Sequence, residues 1–217
     1  MKNPTTIFVL ALICWTTIAR NGLDISTGVT DATFSCYSQA GHQFLIVQGY
    51  QGYGGLNTAA LQNLKLAKNR GFDTDIYMAN CPGKDAYNQV SEMMNSLTPD
   101  LYKRVWIRVE NNYNPGCSWS SNSPQKNCQY LRSLVNGIQA RGAEVGIFSS
   151  PAFWKAAFQD LTHCPEVSSL PLWYGADDGS ASFSGFSAFG GWVTPNLKMY
   201  SYGNVVCGTN VNLNWKP

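Results

Sequence analysis

Charge is what this chain has least of. Lys, Arg, Asp and Glu make up 13% of its 217 residues, about half of the ~25% usual in soluble domains. The balance is also close to even. Setting aside Lys2, which sits in an N-terminal leader, 14 of the 15 basic residues face 13 acidic ones. Such a chain offers no electrostatic platform for a nucleic-acid backbone. Histidine is nearly missing, with only His42 and His163, and no two cysteines stand as Cys-x-x-Cys. Zinc-type spacing is therefore lacking, and no metal or other cofactor is expected. No Gly-x-Gly-x-x-Gly follows the first strand-like run, which argues against a dinucleotide fold. There is no Asn-x-Ser/Thr acceptor for an N-glycan, no internal repeat, no linker and no low-complexity tract.

Long apolar runs are equally scarce. The one that stands out, "IFVLALICW", lies within Met1–Ala19, after the single basic residue Lys2 and before the small-residue exit "TTIA". That is the pattern of a secretory signal peptide, and it is shorter than the ~20 residues that span a bilayer. Cleavage is expected after Ala19 or within a few residues of it. The mature protein, 20–217, should be a secreted single domain with no membrane segment and a monomer.

What the chain does have is aromatics, also 13%, with many Asn, Ser and Gly. A surface rich in Tyr, Trp and Asn but poor in charge suits a neutral polar ligand such as a sugar, although any secreted domain with a large core would share this composition. Six cysteines remain once Cys14 leaves with the leader. An even number in a secreted chain implies disulfides, and six allow 15 pairings. Position in the chain favours Cys117–Cys128 across a loop rich in Ser, Pro and Asn. Closure of a first unit against a last one favours Cys36–Cys207. Cys81–Cys164 then follows by elimination.

Apolar runs alternate with amphipathic ones along the whole mature chain. Strand-like segments occupy 22–26, 43–50, 73–80, 104–110, 143–150 and 170–175. Helical periodicity fills 30–41, 57–71, 84–97, 125–142 and 151–161, with Gly at or just past several ends and Pro151 at a first turn. After 175 the helical signal fades, and "GGWVTPNLKMYSY" and "NVVCGTNVNLNW" read as final strands. Strand–helix alternation predicts parallel pairing. Six to eight such units in about 200 residues predict an α/β fold, an irregular (β/α) TIM-like barrel whose helices are reduced in the C-terminal part. A doubly wound open sheet is the rival.

In such a barrel, function gathers where the strands end. Asp24 lies near the end of the first strand, in "GLDIS". Glu110 ends the fourth, in "KRVWIRVENN". These two strands face each other across the mouth. A lone acid at a strand end is commonly a cap, but two converging ends point to a site. Positions two apart on a strand share a face, so Arg108 shares the cleft with Glu110, unless it swings out to an acid on the rim. Trp106 has the same parity and belongs to the barrel interior. Tyr50, Tyr53, Trp173, Tyr174 and Tyr200 stand at or after strand ends, where aromatic faces could stack on sugar rings.

"GLDIS" resembles the Gly-(Val/Ile/Leu)-Asp-(Val/Ile)-Ser start of the glycoside hydrolase family 25 lysozymes. "VGIFSS", "LPLWYG", "FGGWVTP" and "CGTNVNLN" resemble later blocks of the animal and protist branch, in order, from Gly22 to about Trp215. The resemblance implies an N-acetylmuramidase on an irregular β/α barrel, acting on bacterial peptidoglycan in antibacterial defence without a cofactor. It also implies Glu110 as general acid and Asp24 as a supporting acid. Two family acids are replaced. The strand-four Asp-x-Glu motif reads Arg108-Val109-Glu110, and the final Val-Asp-x-Asn block reads Val211-Asn212-Leu213-Asn214. Arg108 and Asn212 then remain as candidate ligand contacts. A guanidinium within ~4–6 Å can lower a carboxyl pKa by ~1–3 units, so a depressed Glu110 is expected. Arg108 also carries no acceptor for the substrate's acetamide N–H, which the family aspartate is thought to hold. Hydrolysis should suffer. The alternative is a non-hydrolytic glycan-binding or other binding protein on the same scaffold.

Overall fold

The computed structural model describes residues 19–217. The leader expected over 1–19 lies outside the described residues, Ala19 excepted. The chain runs β1 (Arg20–Ile25), α1 (Asp31–Gln39), β2 (Phe44–Gln51), the two-residue β3 (Gly55–Leu56), α2 (Ala60–Asn69), β4 (Asp73–Met78), α3 (Ala86–Ser96), β5 (Arg104–Arg108), α4 (Pro124–Gln139), β6 (Glu144–Ser149), α5 (Pro151–Phe158), β7 (Leu172–Gly175), β8 (Leu197–Val206) and β9 (Thr209–Lys216). Helix starts follow local chemistry: the Asp85, Ser123 and Ser150 side chains accept from the backbone N–H three residues on, and Pro opens both α4 and α5.

Eight strands close into a barrel in the order β1, β2, β4, β5, β6, β7, β8, β9, with β9 pairing back onto β1 and β3 hooked on β2. Around the barrel, pairing is parallel from β1 to β8, β3 pairs antiparallel with β2, and β9 runs antiparallel to both its neighbours. The reduction of helices after β7 is therefore real: a hairpin takes the place of the last β/α units. Its turn, Cys207–Gly208, has φ of 52° and 75°, the positive pair that a two-residue turn matching strand twist requires. Among the described residues no helix is long and apolar enough to cross a membrane.

Alternation sorts each strand into two layers. Phe44, Ile46, Tyr77, Trp106, Phe148, Trp173, Leu197 and Met199 fill the barrel. Leu45, Val47, Ile76, Val105, Ile107, Ile147 and Leu172 point outward under the helices. Trp106 is interior, as its parity requires.

Three disulfides form: Cys36–Cys207, Cys81–Cys117 and Cys128–Cys164. The first matches expectation. The other two correct the pairings Cys117–Cys128 and Cys81–Cys164. Each joins consecutive β/α units rather than sequence neighbours. Cys81 and Cys117 sit in the loops after β4 and β5, whose strands are paired. Cys128 lies in α4 and Cys164 beyond α5, and these helices pack together.

Candidate active site

Asp24, Arg108 and Glu110 meet at the carboxyl end of the parallel strands. Asp24 belongs to β1, where it alternates with the outward-facing Leu23 and Ile25. It is 2% exposed and accepts hydrogen bonds from Asn212 Nδ2 at 2.9 Å and Asn214 Nδ2 at 2.8 Å. Both amides come from β9, which closes the barrel beside β1.

Arg108 ends β5 with its side chain inside. Its Nη2 donates to Glu110 Oε2 at 2.8 Å, its Nε lies 2.8 Å from Glu110 Oε1, and its Nη1 is 3.8 Å from Asp24 Oδ1. The guanidinium also lies 4.3 Å above the ring of Phe148, 4.8 Å from that of Tyr77 and 5.6 Å from that of Trp173. Ion pairs above and aromatic faces below hold the cation in place. It does not swing out to the rim.

The electrostatics correct one expectation. Burial is the largest influence on the Glu110 carboxyl and pushes it above the ordinary carboxylate range, while Arg108 pulls it only part of the way back. Asp24 is raised for the same reason, against the lowering effect of Arg108, Asn214 and Asn212. Burial works against the Arg108 charge, but its acids outweigh that and hold the guanidinium ionised. Glu110 is raised rather than depressed because desolvation of this half-buried acid counts for more than the cation beside it.

The proposed aromatic contacts divide. Trp173 is fully buried in the barrel and donates its indole N–H to Asn214 Oδ1 at 2.8 Å. Tyr174, one residue on, alternates outward and packs on Phe186. Tyr50 shares sequence parity with the interior Ile46, but the β2–β4 register shifts between Gln48 and Tyr50. Its ring therefore joins the outer layer, and its hydroxyl donates to Glu92 at 2.7 Å. None of these three has a face open to a ligand. Tyr200 is half-buried and lines neither of the cavities at the mouth, whereas Tyr53 is exposed on the loop between β2 and β3. Asn212 is occupied twice, donating to Asp24 and accepting from Gly203 N–H at 2.9 Å.

Other residues take the places these leave. Tyr77 and Tyr202 pack on the interior cluster around Arg108. Tyr202 arrives there because β8 slips register between Met199 and Ser201, a bulge with no local sequence signal. The segment "NNYNPG" after Glu110 forms the wall. Asn112 Nδ2 donates to Gly52 O at 2.7 Å and Asn80 O at 3.0 Å, and Asn80 Nδ2 donates to Arg108 O at 2.9 Å. Two adjoining cavities of about 320 and 220 Å3 share Glu110, Asn111, Asn112, Tyr113 and Trp119. Run together they form a groove that passes over Glu110. Among the described residues, the one grouping with metal-ligand geometry is Cys128, Cys164 and Glu166, and both of its cysteines are in a disulfide.

A family model described as "Lysozyme-like protein 1" matches residues 16–200. The chain is similar to "Probable GH family 25 lysozyme 2" of Dictyostelium discoideum, 35% identical with 92% of each chain covered. It is similar also to "Lysozyme-like protein 5" of Caenorhabditis elegans, at 32% with 92% of each covered. Among solved structures, a bacterial lysozyme from Streptomyces coelicolor superposes with a TM-score of 0.75 over 92% of each chain at 17% identity, a likeness of fold.

Proposed function

The chain belongs to the lysozyme-like proteins of glycoside hydrolase family 25, and from that premise we propose that it is a secreted protein which holds peptidoglycan-type glycan over Glu110 and hydrolyses it far more slowly than members with the full acid set. Antibacterial defence is the role this reading implies. Three disulfides accord with an oxidising, extracellular setting.

The observation that carries the proposal is the engagement of both Glu110 oxygens by Arg108. A glycosidic acid must be protonated and must reach the leaving oxygen. Burial pushes the Glu110 carboxyl up, while Arg108 pulls it down and favours the ionised form. The obstacle is that the carboxylate faces a fixed cation, and that the position from which a second carboxylate would hold the acetamido group carries a donor-only side chain. Asp24 does not fill that role, since both its oxygens accept from β9 amides. Loss of one positioned acid–base group typically costs ~10²–10⁴ in rate.

Cosedimentation with purified Gram-positive sacculi, read beside the release of new reducing ends, tests this reading. Retention on the sacculi with little release is the expected result. No retention, or release at rates typical of the family, would overturn it.

A further inference from the structure

Every exposed aromatic side chain among the described residues lies at the mouth end of the barrel. Tyr53, Tyr87 and Tyr113 are 51%, 62% and 88% exposed. They occupy the β2–β3 loop, the first turn of α3 after β4, and the β5–α4 loop, which are consecutive around the rim. None belongs to the core. Large exposed rings carry a solvation penalty that folding does not relieve, and their clustering on one rim marks a contact surface.

The three loops are fastened to one another. Lys84 Nζ donates to Gly54 O at 2.8 Å, with its stem lying across Gly54. Asn112 reaches Gly52 O, and Cys81 is bonded to Cys117. Gly83 passes so close to Gly116 that a Cβ on it would stand 1.8 Å from the Gly116 carbonyl oxygen. Asn111 Nδ2 donates to the Tyr113 hydroxyl at 3.3 Å. A fastened rim presents its rings with little ordering left to do on binding. Its neighbouring charges, Lys84 and Asp85, are opposite in sign and each is anchored on backbone, Lys84 on Gly54 O and Asp85 as the cap of α3, accepting from Asn88 N–H at 2.8 Å. What remains is aromatic faces, amides and hydroxyls, which match an uncharged, hydroxyl-rich ligand. Tyr113 lines the groove over Glu110, so the rim is continuous with that groove.

We infer that Tyr53, Tyr87 and Tyr113 form an outer track that takes the continuation of a polysaccharide strand whose inner sugars occupy the mouth. This rests on the glycan reading above and deepens it, since the track makes binding depend on strand length.

Tyr53→Ala/Tyr87→Ala, which leaves the groove-lining Tyr113 in place, is the test variant, and Tyr53→Trp/Tyr87→Trp its aromatic counterpart. All four substitutions lie on exposed positions, and circular dichroism checks the fold. The probes are purified Gram-positive sacculi and the soluble N-acetylglucosaminyl–N-acetylmuramic acid disaccharide. The alanine pair should weaken retention on sacculi by about tenfold or more, as loss of aromatic anchors does. Affinity for the disaccharide should stay within about twofold of wild type, and the tryptophan pair should keep sacculus binding. Equal sacculus binding by wild type and the alanine pair would overturn the track alone. Parallel loss for sacculi and disaccharide would also overturn it, placing the rings in the mouth itself. Wild type that binds neither probe would overturn the glycan reading together with the track, and would leave a protein partner as the rim's occupant.

Discussion

Arg108 is held from every side, 8% exposed, paired with two acids and stacked on three rings. Its place was legible in the sequence, because parity with Glu110 and Trp106 is a property of any strand. The sign of the Glu110 shift was not, because burial at a barrel mouth depends on which loops fold over it, here the segment after Glu110 itself. A raised carboxyl pKa in the folded state gives stability that is full below the unfolded pKa and is lost as pH rises through the folded value. Asp24 and Glu110 both have this sign, and Arg108 moderates both. Arg108→Leu removes the moderating cation, so both carboxyls should rise further. Its Tm should fall more steeply between pH 4 and pH 8 than that of wild type. Parallel Tm-against-pH curves for the two proteins would contradict this.

At the scale of elements, each strand and helix expected between 22 and 175 has a counterpart within a few residues of its expected bounds, whereas the last two strands are displaced: β8 starts at Leu197 rather than Gly190, and the Cys207–Gly208 turn falls inside the stretch expected as the final strand. Helix and strand periods, glycine stops and cap residues are local signals, so a single sequence carries them. Register slips are not local. The shift at Gln48–Tyr50 turns Tyr50 out of the mouth, and the one at Met199–Ser201 brings Tyr202 to the interior cluster in place of Tyr200. The disulfides were misread for a related reason: Cys117 is nearer Cys128 in sequence, but the loops of paired strands are nearer in space. The Gly83–Gly116 contact belongs to the same pair of loops. Gly83→Ala should cost about 1–3 kcal/mol as an overpacked contact, measured by denaturant unfolding. A change of less than about 0.5 kcal/mol, the range of neutral surface substitutions, would show that these loops separate easily.

The whole molecule is a barrel whose closure rests on its last hairpin, and Cys36–Cys207 ties that hairpin to α1 across 171 residues. In the chain-entropy account a link of that span is worth roughly 5 kcal/mol, against roughly 4 for one spanning about 36 residues. Paired Ser variants should follow that order in guanidinium unfolding, with the loss of Cys36–Cys207 the most damaging. Finding it the least damaging would mean that the hairpin stays closed without its link. The barrel also sets what the mouth could become, since it already places Glu110, half-buried and with its carboxyl pushed up by desolvation, just past the end of β5. The most direct test of the account is the rate of reducing-end release from sacculi by wild type beside Arg108→Asp/Asn212→Asp. Slow release by wild type and a rise of about tenfold or more in the double variant, within the span of one acid–base group, is the predicted result. Fast release by wild type, with no gain in the variant, would show that Asp24 and Glu110 suffice and that Arg108 is no obstacle to hydrolysis.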